Sequence, residues 1–183
     1  FKCYFSNKNP FFVRSYSLIQ KARKLINKCD IVLARSNFIK KMLETNKYKC
    51  DGILYPPVEV KKHNNTYNPD ILFAGKIIKH KGIGFLLRVL KKVKKYTNFK
   101  AYIAGEGDIK QYKKFCEKLG LKNKVEFLNY VEHDMLLGLM SKTGIFILPS
   151  LWDEPLSRGM LEAMSHGCAV IATRTGGTVE VIE

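Results

Sequence analysis

Residues 145–173 read IFILPSLWDEPLSRGMLEAMSHGCAVIAT and carry the strongest structural signal in the chain. The apolar runs Ile145–Leu148 and Ala169–Thr173 are short and continuous, a pattern typical of strands that are covered on both faces. Between them, Pro155–His166 predicts a helix, because apolar residues recur on one face and Pro155 suits the first helical position. A strand, a helix and a second strand in this order predict a parallel βαβ unit.

The same alternation extends back to residue 70. Further strands are predicted over residues 70–74, 101–104 and 125–128, and further helices over residues 84–96, 109–119 and 134–141. Repeated β-α units predict an α/β fold with a Rossmann-like, doubly wound parallel sheet. Ligands bind such sheets beyond the carboxyl ends of the strands. Four turns fall at that edge, at Gly75, Gly105, Pro149 and Gly176.

The region before residue 70 predicts part of a second α/β domain. Helices are predicted over residues 17–28 and from the capping residue Ser36 to about Thr45, and strands over residues 31–34 and 52–55. Pro56-Pro57 and the polar stretch 61–68 are typical of a linker. We therefore expect a domain remnant at residues 1–57 and a main domain at residues 58–183. Because the chain begins at Phe1 and stops where a helix is starting, we expect a fragment whose main domain is truncated at its C-terminal end.

The chain is strongly basic, with 32 Lys and Arg residues against 16 Asp and Glu residues and a formal net charge of +16. Such a surface attracts phosphorylated small molecules, nucleic acid or acidic lipid headgroups, and charge alone does not choose among them. The basic segment Arg88–Lys95 invites a nucleic-acid interpretation. Its charges lie opposite the apolar side chains of the same helix, so a solvated outer face is the simpler interpretation, with contact to anionic membrane lipid as another.

The five cysteines and four histidines are scattered and form none of the spacings typical of a zinc site or a disulfide framework. This cysteine pattern favours a reducing compartment. No apolar run approaches the roughly 18 to 20 residues that a membrane-spanning helix needs. We therefore expect a cytoplasmic protein without a metal site or a cofactor.

Two glutamates, Glu154 and Glu162, lie eight residues apart around the start of the predicted helix. This spacing predicts that Glu154 lies at the mouth of the helix and Glu162 about two turns inside it. Ionised carboxylates only accept hydrogen bonds, which suits the hydroxyl pairs of sugars. A carboxylate on the flank of an apolar stripe also needs a partner. Arg158, four residues before Glu162, is the structural candidate for that partner, and a ribose is the functional one.

The loop after the predicted strand 70–74 reads Gly75-Lys-Ile-Ile-Lys-His-Lys-Gly82. It places Lys76, Lys79 and Lys81 at the ligand edge of the sheet, where ammonium groups are suited to a diphosphate. In a chain this basic, a lysine-rich loop is also typical of solvated surface. Farther along, Thr173–Gly177 and then Thr178–Glu180 predict another strand end, glycine turn and helix start, which offer a second set of backbone N–H donors for phosphate.

Several motifs occur together in the order Phe73-Ala-Gly-Lys76, Lys81-Gly82, Ala104-Gly-Glu-Gly107, Leu148-Pro-Ser150, Glu154-Pro155, Leu161-Glu-Ala-Met164, Gly167-Cys-Ala-Val-Ile-Ala172 and Gly176-Gly177. In this order they resemble the nucleotide-sugar-binding half of retaining glycosyltransferases of the GT-B fold, in particular the family of glycosyl transferases group 1. The resemblance covers roughly residues 70–183. Upstream, Cys29–Ser36 and Leu54–Val58 look like the end of the acceptor-side domain and the interdomain linker.

The resemblance implies roles for individual residues. Lys76 and Lys81 neutralise the diphosphate, Glu154 contacts the transferred sugar, and Glu162 holds the ribose hydroxyls. The helix beginning at Pro155 offers its N–H groups to the distal phosphate, and the turn 128–131 meets the base. Lys81 and Glu154 are then the catalytic residues, and the implied substrate-binding residues are Gly75, Lys76, Lys81, Val131, Glu154, Leu156, Ser157 and Glu162. Lys76 stands where the family usually has Arg, which keeps the charge and loses the bidentate fork.

The resemblance also implies an activity, the transfer of a hexose from a UDP- or GDP-sugar to an acceptor hydroxyl with retention of anomeric configuration. The sequence contains no Asp-x-Asp motif, so we expect the two lysines and the helix dipole, rather than a metal ion, to carry the leaving-group charge. The implied acceptor is a glycan or a lipid-linked molecule, held mostly by the other domain. The enzyme is then cytoplasmic or peripheral on the inner membrane face, with no nucleic-acid partner. The alternative from another class is a basic nucleic-acid-binding α/β module without catalytic activity.

Overall fold

The computed structural model describes residues 20–60 and 68–182, and the chain divides into two compact units, Phe1–Tyr55 and Pro56–Glu183. In the first unit, residues 20–26 are helical (α1). They are followed by β1 (Leu33–Ala34), α2 (Asn37–Thr45) and β2 (Gly52–Ile53). The two strands pair in parallel, so this unit is a small α/β arrangement.

The local signals in the first unit are largely confirmed. Ser36 caps α2 as predicted, because its Oγ accepts a hydrogen bond from the Ile39 N–H at 3.2 Å. Both strands are shorter than the predicted segments 31–34 and 52–55, since only Leu33–Ala34 and Gly52–Ile53 are paired. The Leu54 N–H still donates to the Ala34 carbonyl at 2.8 Å, just past the end of β2. Positions 17–19 of the predicted first helix and positions 61–67 of the predicted linker lie outside the described residues.

The second unit is built on a five-stranded parallel sheet. Its strands are β3 (Ile71–Ala74), β4 (Ala101–Ala104), β5 (Val125–Asn129), β6 (Ile145–Leu148) and β7 (Ala169–Ala172). They are ordered β5-β4-β3-β6-β7, and every neighbouring pair is parallel. The chain therefore winds outward from β3 to one edge, returns to the middle and winds to the other edge. This confirms the doubly wound sheet and places its topological switch point between β3 and β6.

Four helices cover the two faces of this sheet. They are α3 (Ile83–Val93), α4 (Ile109–Lys118), α5 (His133–Met140) and α6 (Arg158–Ser165). Phe73 packs with side chains of α3 and α4, whereas its neighbour Leu72 packs with Met140 of α5 and Met160 of α6. Adjacent residues of one strand thus enter separate cores, because successive side chains point to opposite faces. Coverage on both faces accounts for the continuous apolar runs of β3, β4 and β6. The same expectation for Ala169–Thr173 was wrong, because β7 lies at the edge of the sheet and Ile171 is 56% exposed.

The start of α6 differs from the prediction. We predicted a helix from Pro155, but α6 begins at Arg158 with Ser157 as its N-cap, whose Oγ accepts from the Met160 N–H at 3.3 Å. The preceding residues are not helical because the Glu154 carbonyl accepts a hydrogen bond from the Gly177 N–H at 2.7 Å. Glu162 consequently lies about one turn into the helix, and the prediction of about two turns was wrong.

No helix within residues 20–60 and 68–182 is both long and apolar enough to span a bilayer.

Candidate functional site

Two loops meet at the switch point of the sheet. One is the turn 79–82, which follows β3 and precedes α3, and the other is the segment 149–157, which follows β6. The Leu151 N–H donates to the His80 carbonyl at 2.8 Å. Gly82 has a φ of 77°, and a Cβ atom there would overlap the Pro149 carbonyl oxygen. Only glycine permits this approach, so the two loops form one surface at the carboxyl ends of β3 and β6.

Glu154 is buried where these two loops meet. It is 4% exposed, and its Oε1 accepts from Lys81 Nζ at 2.7 Å, from Trp152 Nε1 at 2.9 Å and from Ser150 Oγ. Lys81 and Glu154, the two predicted catalytic residues, are therefore in direct contact although 73 positions separate them in the chain. The contact follows from the parallel pairing of β3 with β6, which brings the ends of both strands to one edge.

The surroundings of Glu154 keep it ionised. Burial raises the pKa of its carboxyl, but the hydrogen bonds from Lys81, Ser150 and Trp152 and the charge of Lys81 lower it by more. The net effect is a pKa below the ordinary value, so Glu154 is a carboxylate at neutral pH. A charged acceptor of this kind forms strong hydrogen bonds with hydroxyl groups, each contributing about 1.5 to 3 kcal/mol.

A third loop, residues 173–177 after β7, supports the segment that carries Glu154. Thr173 Oγ1 donates to the Ser150 carbonyl at 2.6 Å. The Gly177 N–H donates to the Glu154 carbonyl at 2.7 Å, and the Gly176 N–H donates to Asp153 Oδ1 at 3.1 Å. We predicted that the turn 173–177 and the helix start at 178–180 supply N–H donors to phosphate, but the N–H groups of Gly176 and Gly177 are used within the chain. Their role here is to hold Glu154 in place.

Glu162 lies in α6 and is 7% exposed. Its Oε1 forms an ion pair with Arg158, 2.8 Å from Nε, and lies within hydrogen-bond distance, 3.0 Å, of His133 Nε2 at the start of α5. The structural partner considered for Glu162, Arg158, is thus in place. The side chains of Arg158 and His133 are 62% and 53% exposed, whereas the Glu162 side chain is 10% exposed, so the two partners lie at the solvent edge and the carboxylate lies behind them. His133 was missed in the sequence, because contact between α5 and α6 gives no signal in residue spacing.

A cavity of about 230 Å³ lies beyond the ends of β3, β4 and β5. It brings together three predicted substrate-binding residues, Gly75, Lys76 and Val131. Gly105 lies beside Gly75 with a φ of 144°, and a Cβ atom on Gly105 would overlap the Gly75 carbonyl oxygen. Glycine at this position therefore lets the turns after β3 and β4 approach and form the wall of the cavity.

Three further residues named from the sequence, Leu156, Ser157 and Lys79, do not line the cavity. The Leu156 side chain is buried in the core between the sheet and α6, so its backbone is the part that a ligand can reach. The Ser157 hydroxyl caps α6, while the N–H groups of the next two residues have no acceptor within the helix. Lys79 lines a groove between α3 and α4 together with Arg88 and Lys114.

Comparison with known proteins gives a consistent result. The sequence model of the family described as glycosyl transferases group 1 matches residues 57–183. An uncharacterised glycosyltransferase of Methanocaldococcus jannaschii is 38% identical over 114 residues, which cover 62% of this chain and 29% of that protein. Match to a glycosyltransferase family over more than half of the chain disfavours the alternative of a nucleic-acid-binding module.

Solved structures show the same fold at lower identity. Anabaena HepE in complex with UDP-glucose matches with a TM-score of 0.79 at 21% identity, covering 92% of this chain and 52% of that one. A glycosyltransferase from Rickettsia africae matches with a TM-score of 0.70 at 23% identity, covering 91% of this chain and 50% of that one. This chain spans about half the length of these structures. The chain belongs to the glycosyl transferases group 1 family, and its fold is that of the GT-B glycosyltransferases.

Proposed function

We propose that this chain forms the donor-binding part of a glycosyltransferase that transfers a hexose from a UDP- or GDP-sugar to an acceptor hydroxyl, with retention and without a metal ion. The observation that carries the proposal is the ionised Glu154 held against Lys81 at the switch point of the sheet. Ligands bind doubly wound sheets at that point.

Glu154 is suited to hold the transferred sugar. Its Oε1 takes the hydrogen bonds from Lys81, Ser150 and Trp152, and Oε2 takes none of these three. A carboxylate offers about four acceptor positions, so positions remain for sugar hydroxyls. Lys81 uses one of its three N–H groups on Glu154, and the other two can donate to phosphate oxygens.

The diphosphate has three sources of positive charge near it in this proposal. They are Lys81, Lys76 at the edge of the cavity, and the N-terminus of α6. The first N–H groups of a helix lack acceptors, and the helix dipole places partial positive charge there. Together these groups stabilise the negative charge that develops on the leaving diphosphate. Because the sequence lacks Asp-x-Asp, we assign this role to the chain's own cations.

The nucleoside fits the cavity lined by Gly75, Lys76 and Val131. The Val131 end would meet the base, and Glu162 would accept hydrogen bonds from the ribose hydroxyls. Arg158 and His133 keep Glu162 satisfied before the ligand arrives, which avoids the cost of an unpaired buried carboxylate. HepE was crystallised with UDP-glucose, which supports a uridine diphosphate sugar as one donor to test.

The acceptor and its domain are proposed from the geometry of a retaining reaction and from the division of the chain. In a retaining reaction, the incoming hydroxyl approaches on the face from which the diphosphate leaves. We assign residues 1–57 to the acceptor-side domain and propose a glycan or lipid-linked acceptor. We also propose a cytoplasmic enzyme that is peripheral on the inner membrane face, since Lys91, Lys92 and Arg88 on α3 would attract anionic headgroups.

Calorimetric titration tests this function directly. The chain is titrated with UDP-glucose, with GDP-mannose and with a random-sequence RNA at two salt concentrations. We expect binding of a nucleotide sugar, abolished in Lys81→Ala and retained in Lys91→Gln on the basic face of α3. Tight, salt-sensitive binding of RNA with no heat from either nucleotide sugar would overturn the proposal in favour of the nucleic-acid-binding module.

A further inference from the structure

Trp152 is the only tryptophan in the chain, and it lies two residues before Glu154. It is 45% exposed, yet its Nε1 donates to Glu154 Oε1 at 2.9 Å. A half-exposed indole can satisfy its N–H with water. Its use of a buried carboxylate instead indicates that the ring is held in a particular orientation.

The contacts of the ring show how it is held. Lys81 Nζ lies 5.3 Å from the ring centroid of Trp152, within the range of a cation–π interaction. On the same turn, the His80 ring lies 5.0 Å away, centroid to centroid, at an interplanar angle of 53°. The backbone hydrogen bond from the Leu151 N–H to the His80 carbonyl fixes this loop against that turn. Trp152 therefore contacts both members of the Lys81–Glu154 pair.

We propose that Trp152 is a positioning residue for sugar recognition, which orients the Glu154 carboxylate so that Oε2 faces the donor sugar. The inference rests on the function proposed above and adds a residue to the sugar-binding part of that site. The donors from Lys81, Ser150 and Trp152 all converge on Oε1, so rotation of the carboxylate would break three hydrogen bonds at once. The exposed part of the indole ring then forms a wall beside the sugar, away from the cavity assigned to the nucleoside.

A purely structural role makes a different prediction. If the indole N–H only satisfies a buried carboxylate, its loss lowers stability and affects nucleotide and nucleotide sugar equally. If it orients Glu154 toward the sugar, its loss affects only the sugar. The distinguishing quantity is the sugar increment, defined as the dissociation constant of the nucleotide divided by that of the corresponding nucleotide sugar.

The experiment compares the unchanged chain with Trp152→Phe, which keeps a ring and removes the N–H donor. The probes are UDP with UDP-glucose and with UDP-N-acetylglucosamine, and GDP with GDP-mannose, and the sugar increment is taken for the donor that the unchanged chain binds most tightly. We expect nucleotide affinity within about twofold of the unchanged chain and a sugar increment reduced about tenfold, since the N–H donates to a charged acceptor. Leu151→Ala is the matched control, because its side chain is 58% exposed and its backbone hydrogen bond is retained.

Fluorescence gives a second readout, because all tryptophan emission comes from Trp152. We expect the nucleotide sugar to change the emission more than the nucleotide does. Equal sugar increments in Trp152→Phe and in the unchanged chain would overturn the role of Trp152, even if the melting temperature falls. Failure of the unchanged chain to bind any of the three nucleotide sugars would instead overturn the proposed function, and the role of Trp152 with it.

Discussion

At the scale of single residues, the two glutamates differ in what surrounds them. Glu154 receives three donors on one oxygen from residues packed around it. Glu162 shares its Oε1 with Arg158 and His133, whose side chains are more than half exposed. A fixed carboxylate is suited to discriminate among sugar hydroxyls, and a carboxylate with exposed partners is suited to exchange one contact for another.

Substitution of each glutamate by glutamine separates the two roles. Glu162→Gln should weaken UDP or GDP and the nucleotide sugar alike, by about 1.5 to 3 kcal/mol, because the ribose is common to both ligands. Glu154→Gln should leave the free nucleotide nearly unaffected and weaken the nucleotide sugar. Titration calorimetry measures both affinities, and thermal melting without ligand serves as the control. Unchanged nucleotide affinity with a lowered melting temperature in Glu162→Gln would make Glu162 a structural partner of Arg158 and His133.

The pKa of Glu154 predicts a specific pH dependence of stability. Because this pKa is lower in the folded chain than its ordinary value of 4.5, the carboxylate stabilises the fold fully above that value. The contribution is lost as the pH falls through the folded pKa. We expect the melting temperature of the unchanged chain to fall more than that of Glu154→Gln between about pH 7 and about pH 3.5. Parallel curves for the two proteins would contradict this expectation.

At the scale of elements, the loop after β6 depends on glycines in the loops that contact it. Gly176 has a φ of 53°, and a Cβ atom there would overlap the Glu154 carbonyl oxygen. Gly82 approaches the Pro149 carbonyl in the same way. These contacts explain why the segment 149–157 is not helical and why α6 begins only at Arg158. The placement of Glu154 is thus a property of three loops rather than of one helix.

Gly176→Ala tests this dependence. We expect a loss of more than about 1 kcal/mol in the free energy of unfolding, because alanine is strained at positive φ and its Cβ overlaps the backbone of the Glu154 segment. Gly138→Ala is the matched control. Gly138 lies inside α5 with open space around it, so alanine there should stabilise the chain by about 0.5 to 1 kcal/mol. Urea unfolding measures both, and equal effects of the two substitutions would contradict the proposed role of Gly176.

At the scale of the whole molecule, the donor-binding residues proposed here all lie in the second compact unit, Pro56–Glu183. We expect residues 1–183 to bind a nucleotide sugar weakly and to transfer little sugar, because the acceptor pocket is assigned to the other domain. Product formation by this chain is compared with that of a relative of full length, with nucleotide-sugar binding measured in both. Efficient transfer by residues 1–183 alone would show that they hold a sufficient acceptor site.

Much of the second unit was predictable because its signals are local. The predicted strands 101–104 and 145–148 coincide with β4 and β6, since a continuous apolar run bounded by turns is enough to mark a strand covered on both faces. The alternation of such runs with amphipathic segments was enough to predict the doubly wound parallel sheet. Glu154 and the lysines of the loop 75–82 could be placed at the ligand edge because they follow predicted strands, and the family resemblance then selected Lys81 and Glu154 as catalytic residues.

The tertiary structure alone decided which side chains share the site and where α6 begins. The sequence determined that the segment between β6 and β7 forms a helix. The hydrogen bond from the Gly177 N–H to the Glu154 carbonyl keeps the residues before Arg158 out of that helix, so α6 begins at Arg158. The contacts of Glu162 with His133 and of Glu154 with Lys81 join positions 29 and 73 residues apart. Periodicity and capping act over a few residues, whereas these contacts form only when the parallel sheet brings the loops after β3 and β6 to one edge and α5 packs against α6.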